Sequence, residues 1–452
     1  MTKQSEPRTS QAIHAAIDIV EKEAPGGAEV LFMAAMLANA PLPYDYALSM
    51  DGTPHNPALI NPAAAFFAAT ALIDPLVAHE LIDVDADRQI FILKPDVRTV
   101  LLDSMDAEHK ASWASRAIYG LNLSLPDAEP QNWPMVQWLM PHILACRDLI
   151  KKLDVNTAAA NRVLHQTGFS FYHQQRFDEA LEFLNAAMAV DVALKGRQHP
   201  DIVADLEGLA TVHRAAKHDE HAETFFLRCL GLQKEIFTDG NIATAPTLNS
   251  LGVIRHETGR LDEAEASFEA CLTVLRDASD APHPTMASCL SNMARLYETM
   301  SQPERALGLA QQALTINREL YGDQHPDVAE NHTTIAQLHD RLNDPVQAEI
   351  HFKHSLAICE QVYGPDHPET AQAQCTMALF LSSLGRDAEA FEFFNQGLTA
   401  YEDALGPQHP LFESALNNFT ALLQKCADSE QHPLRAEAEA RLQKIVEKAG
   451  QP

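Results

Sequence analysis

The sequence predicts a mainly α-helical protein, a right-handed α-solenoid of repeated helix pairs preceded by a small α+β domain. Three observations predict it. A His-Pro pair recurs at one fixed spacing, at His283, His325, His367 and His409, with His199 two such spacings ahead. An alanine falls at every 42nd position without exception, as Ala180, Ala222, Ala264, Ala306, Ala348 and Ala390. Ahead of the repeats, two short alternating stretches, "LIDVD" and "QIFILK", surround an "ADR" turn between helical segments, which reads as a β-hairpin.

Each repeat is a pair of helices. Four residues after each marker alanine come Leu184, Phe226, Phe268, Ala310, Phe352 and Phe394, and eight after it Met188, Leu230, Leu272, Leu314, Leu356 and Leu398. Those spacings place all three on one helical face. Twelve residues before the alanine stands a second small residue, Gly168, Ala210, Gly252, Ala294, Ala336 or Ala378, so two helices can approach closely. The double-length gap between the first two His-Pro pairs predicts a degenerate copy midway, and Asn241-Ile242 fills that slot. Proline at a first helical position loses no hydrogen bond, and acids just after it suit the positive end of the helix dipole. Pro326-Asp327 and Pro368-Glu369 therefore start each repeat's first helix, with His325 at the cap and Tyr321-Gly322 closing the helix before.

This small-large-small pattern, clearest in "LNSLGVIRHETGRLDEAEASFEACL" (residues 248–272), resembles the tetratricopeptide repeat (TPR). The 42-residue period is similar to that of kinesin light chains and of NB-ARC/TPR signalling proteins. Six copies are expected over residues 153–412, followed by a degenerate capping helix pair over 413–452.

Before the repeats, residues 9–23 and 28–39 read as helices, then a third helix, the hairpin and a fourth helix follow. Helix, helix, helix, hairpin is the order of a winged helix, assigned to residues 28–106 after an N-terminal helix (1–27). Residues 107–152 read as a helical connector holding all three tryptophans, Trp113, Trp133 and Trp138. Winged helix, a connector with Trp133, Trp138, Pro141 and His142, then 42-residue repeats, resembles the C-terminal part of STAND-type ATPases. No GxxxxGK[ST] loop occurs, so nucleotide binding has no basis here.

Composition excludes several functions. Lys and Arg total 33 against 62 Asp and Glu, a net charge of −29, which opposes binding to nucleic acid or anionic membranes. A winged helix could read DNA, but its recognition helix, about residues 62–73, carries no Lys, Arg, Asn or Gln. The run 52–73 keeps only about eleven consecutive apolar residues, where a membrane span needs roughly 20. Seven scattered cysteines and an N-terminus without an apolar core predict reduced thiols and a cytoplasmic location. Cys229 and Cys271 fall where a small packing residue is expected.

Catalytic chemistry finds no motif: there is no GxSxG elbow and no glycine-rich loop, so no enzyme, cofactor or metal site is expected. The five aligned histidines lie about a helix diameter apart and cannot share a metal. His351 and His354, at i and i+3, are the best local pair but lack an evident carboxylate or thiolate partner, so they are read as solvated helix-face histidines.

What remains is surface. By similarity to tetratricopeptide arrays, the first helix of each repeat lines a concave groove. Its candidate peptide-binding residues are His165, Phe169, Tyr172, His173, Arg214, Asn249, His256, Arg295, Gln337 and Arg341. Interleaved Glu207, Glu257, Glu298 and Asp340 could instead pair with those arginines. The carboxylate-clamp lysines of chaperone-binding repeats are absent. The expected function is a non-enzymatic adaptor that binds a protein or peptide. The alternative is a recognition or regulatory subunit of a STAND-like signalling or defence system, whose ATPase or effector is a separate chain; a DNA-binding regulator ranks below both.

Overall fold

The computed structural model describes residues 8–49, 62–237, 241–279, 281–407 and 409–428, with single positions 434, 436, 439 and 440 beyond. The expected partner helix of the C-terminal cap and the run 52–61 lie outside the described residues. The chain forms two compact units, Met1–Thr238 and Asp239–Pro452.

The first unit opens with α1 (Ser10–Glu23), capped by Thr9, and α2 (Gly27–Met36). A two-residue strand β1 (Leu42–Pro43) leads through a 3₁₀ turn (Tyr44–Ser49) to α3 (Pro62–Ala78). The hairpin β2 (Ile82–Asp85) and β3 (Ile90–Leu93) follows, then α4 (Pro95–Ser104). The antiparallel sheet runs β1-β3-β2, with Leu42 and Val84 both opposite Phe91. Sequence reasoning missed β1, because two residues cannot display a period of two. Arg98 of α4 ties this small α+β domain together by donating to the carbonyls of Ala35 (3.1 Å) and Leu37 (2.7 Å) at the open end of α2.

Two connector helices follow, α5 (Ala107–Ser124) and α6 (Trp133–Leu153). His142 of α6 is fully buried and donates through Nε2 to the Pro41 carbonyl at 2.9 Å, fixing the connector to the residue before β1. Burial lowers its pKa, which keeps the ring neutral. Two helix pairs complete the unit: α7 (Ala158–His173) with α8 (Phe177–Lys195), and α9 (Pro200–Ala215) with α10 (Asp219–Ile236). One hydrophobic cluster runs from Ile13 to Val212, so the small domain, the connector and the first repeats share a core.

The second unit continues the pattern. Its pairs are α11 (Ala245–Glu257) with α12 (Leu261–Ala278), and α13 (Pro284–Thr299) with α14 (Pro303–Tyr321). They continue as α15 (Pro326–Arg341) with α16 (Pro345–Tyr363), and α17 (Pro368–Ser383) with α18 (Asp387–Leu405), before α19 (Pro410–Asp428). All six marker alanines are 0% exposed. The second small position is as tightly packed: a Cβ on Gly252 would lie 2.5 Å from the Phe268 ring, so the phenyl occupies the space a side chain would need. Burying each such large residue is worth about 1.5–3 kcal/mol, and the motif recurs down the array. The α-solenoid and the small α+β domain expected from sequence are both present.

Helix starts repeat as faithfully as the core. His199, His283, His325, His367 and His409 each accept, through Nδ1, the backbone N–H two residues on, at 3.1–3.2 Å. In the degenerate slot Asn241 does the same, its Oδ1 taking the Ala243 N–H at 2.9 Å. The His325 ring stacks on Tyr321 at 4.3 Å and His367 on Tyr363 at 4.7 Å. Gly322 and Gly364 supply the positive φ, 83° and 91°, that ends the helix before. The His-Pro pair is a cap.

Candidate functional site

In the first unit, α7 places His165, Phe169, Tyr172 and His173 at i, i+4, i+7 and i+8, which is one helical face. Their rings contact in sequence: His165–Phe169 at 4.7 Å, Phe169–Tyr172 edge-on at 6.2 Å, and Tyr172–His173 at 5.2 Å. Phe169 reaches α9, where Gly208 makes room for it; a Cβ there would lie 3.3 Å from the ring. His173 is exposed and the other three are half-buried. Arg214, near the end of α9, is half-buried too.

Close to this face lies a buried carboxylate pair. Asp191 on α8 and Asp205 on α9 are 4% and 6% exposed. Lys195 Nζ stands 2.9 Å from Asp191 Oδ1 and also pairs with Asp201. Asp205 Oδ2 has no hydrogen-bond partner. Burial, then the Asp191 charge, pushes the Asp205 carboxyl up to about 7. Burial also lowers the His165 pKa, against the pull of Asp191.

The second unit presents polar side chains instead. Asn249 accepts from Asn292 Nδ2 at 3.1 Å, and Asn331 donates to Ser291 Oγ at 3.2 Å, each linking the first helices of adjacent repeats. Asn317 in turn donates to Asn331 Oδ1 at 2.7 Å. Arg341 pairs with Glu298 at 2.8 Å, and His256 Nε2 lies 2.8 Å from Thr299 Oγ1. Burial and then Arg295 lower the His256 pKa. Arg295 and Gln337 are exposed. The candidate residues therefore fall into two sets, an aromatic strip with Arg214 in the first unit and a polar set in the second. Sequence reasoning missed Asn292 and Asn331; each stands about one period after its partner, 43 and 40 residues on.

The family model described as tetratricopeptide repeat matches residues 159–235, 243–319, 306–361 and 344–403, more than half of the chain. The chain belongs to the tetratricopeptide repeat family. No curated protein matches it by sequence. Among solved structures it is similar to a kinesin light chain-type protein of nearly identical TPR-like repeats from Podosopora anserina, at 18% identity and a TM-score of 0.39, covering 44% of this chain and 94% of that one. It is similar also to BtubC from P. vanneervenii, at 16% identity and a TM-score of 0.40, covering 55% and 93%. A STAND protein with a tetratricopeptide repeat sensor from Pyrococcus horikoshii shares 11% identity at a TM-score of 0.46, over 99% of this chain and 67% of that one.

Tetratricopeptide repeats are protein-interaction scaffolds, and that is the coarse function of this chain. Among the described residues no helix is long and apolar enough to cross a membrane. All seven cysteines are buried, Cys229 and Cys271 among them.

Two histidine clusters also emerge from the array. In the second repeat, His213, His218 and His221 cluster together, with His213 stacked on His221 at 5.3 Å and on Phe225 at 5.2 Å. In the fifth, His332 of α15 meets His351 and His354 of α16, and their ligand nitrogens lie within 4.8 Å of one another. Folding thus brings a third imidazole, His332, across from the partner helix to the i, i+3 pair.

Proposed function

We propose that the chain is an adaptor that binds an extended peptide segment of a partner protein on the first helices of its repeats. The observation that carries this reading is the run of four contacting rings on α7, a partly exposed aromatic strip in an acidic protein. Aromatic side chains offer large contact area at low entropic cost, and a peptide's apolar anchor would seat on Phe169 or Tyr172. In the first unit Arg214 would take a carboxylate; in the second, Arg295 would do the same and Asn249 would bond peptide backbone. Arg341 is paired with Glu298, so a peptide carboxylate there would compete with that ion pair.

Peptide-display selection on the intact chain, followed by titration of the selected peptides, tests this. Affinity should fall at least about tenfold in Tyr172→Ala and in Arg214→Ala/Asn249→Ala/Arg295→Ala, the loss expected when an anchor or a charge pair is truncated. Selected peptides that bind both variants as tightly as the native chain would sink the groove reading.

The small domain supports a second role. Its order of helix, strand, 3₁₀ turn, helix and hairpin, with β1 paired to β3, supports a winged-helix-like module, and the small-domain and array order is the one the STAND-like alternative requires. Its α3 opposes DNA recognition: from residue 67 on, the exposed positions are Phe67, Ala68, Ala71, Asp74, Val77 and Ala78, with no cation among them. A nucleotide-hydrolysing protein recovered on the intact chain would favour the regulatory-subunit reading over a free-standing adaptor.

A further inference from the structure

We propose that His332, His351 and His354 form a binding site for one divalent transition cation of the zinc class. Three requirements of such a site are met by the fifth repeat. The donors are of the right kind, since three imidazoles with an open fourth position suit Zn²⁺ and its first-row neighbours and suit Mg²⁺ or Ca²⁺ poorly. They converge: among the described residues this is the one group of three or more histidine, cysteine or carboxylate side chains whose ligand atoms come within 4.8 Å of one another. Tetrahedral coordination at about 2.0–2.1 Å sets ligand nitrogens about 3.3 Å apart, so rotations of the rings suffice to close the site. The His332 and His351 Nδ1 atoms already stand 2.8 Å apart.

The third requirement is a supported pocket with an entry path. His332 is buried at 9% exposure, His351 is half-buried and His354 is exposed, so the cluster opens to solvent at His354. His339 stacks over His351 at 5.7 Å, 16° from parallel, and its own Nδ1 lies 3.7 Å from Asp344 Oδ2. The nearby cation Arg318 is paired with Asp323. An ion held here would link α15 to α16. None of the three ligands is a candidate peptide contact, so metal binding and peptide binding are separable.

The His213, His218 and His221 cluster is the internal control: three rings gathered together whose nitrogens do not converge. Calorimetric titration of the metal-free intact chain with ZnCl₂ should show one strong site per chain, unaffected by excess MgCl₂. Affinity should fall about tenfold or more in His354→Ala and in His351→Ala, and stay at the native value in His221→Ala. Because His354 is exposed, its variant keeps the packing of the repeat, and an unchanged circular dichroism spectrum verifies this. Zinc binding that survives His354→Ala unaltered, that weakens equally in His221→Ala, or that is absent from the native chain would overturn the proposal.

Discussion

Both compact units bury polar groups beside their candidate binding faces, and they satisfy them differently. In the second unit Asn317, Asn331 and Ser291 form a chain in which Asn317 and Asn331 each donate to the next acceptor, with no formal charge involved. In the first, Asp191 and Asp205 are buried close together with one lysine, and an oxygen of Asp205 is left without a partner. A satisfied amide network adds stability and gives the repeats a fixed register. A buried carboxylate pair costs stability whenever both ionise. The polar face therefore serves the scaffold first, whereas the costly pair stands beside the aromatic strip, the proposed peptide-binding face.

The largest effect that could break this comparison is pH-dependent. Asp205 holds its proton up to about pH 7 in the folded chain, while an unfolded aspartate releases it near 3.9. Between those values the folded state binds more protons than the unfolded one, so this group's contribution to stability falls as pH rises through that window and is level above it. The full shift corresponds to about 4 kcal/mol. Asp205→Asn, which keeps the shape and removes the proton, should be more stable than the native chain at pH 8 and gain much less at pH 4. Urea unfolding of both proteins across that range reads the difference directly. A difference independent of pH would mean that Asp205 ionises freely in the fold.

Next in size is the amide chain. Asn331→Ala strands the buried Asn317 side chain, which should cost the second unit about 2 kcal/mol, the penalty for an unsatisfied buried amide. Unlike the gain from Asp205→Asn, this loss should be the same at pH 5 and pH 8. A loss in denaturant titration below about 0.5 kcal/mol, the low end of what one hydrogen bond contributes, would show that water replaces the bond. The second unit's polar face would then be as free for ligands as the first's.

Sequence carried the periodic features and hid the non-periodic ones. The helix pairs, the small-large-small core and the caps all recur with the repeat period, so each weak local signal was reinforced by its copies; even the Asn241 slot followed from a gap in the series. The aromatic strip was legible because its residues lie within one helix at spacings of four, seven and eight. The buried carboxylates were not, since nothing local distinguishes Asp205 from a solvated acid one turn into a helix. His332 was invisible as a ligand for the same reason: its partners, His351 and His354, lie on the other helix of the pair, and no second repeat carries the triplet. The strand β1 was too short to announce itself.

The smallest effect sharpens the comparison by testing what the units share. His199 in the first and His325 in the second cap their helices with the same Nδ1 bond, both at 3.2 Å. If the units differ in their buried groups and not in their repeat scaffold, His199→Ala and His325→Ala should each cost about 1 kcal/mol, as loss of an N-cap acceptor does. His→Asn at either position should stay within a few tenths of native, because an asparagine oxygen fills the same role and Asn241 already does so in the degenerate slot. His325 also stacks on Tyr321, so a cost retained in His325→Asn, but absent from His199→Asn, would assign the difference to the ring contact and not to the cap. A cost of about 1 kcal/mol retained in both asparagine variants would instead mean that the imidazole itself is required, and that Asn241 marks a weakened joint in the array.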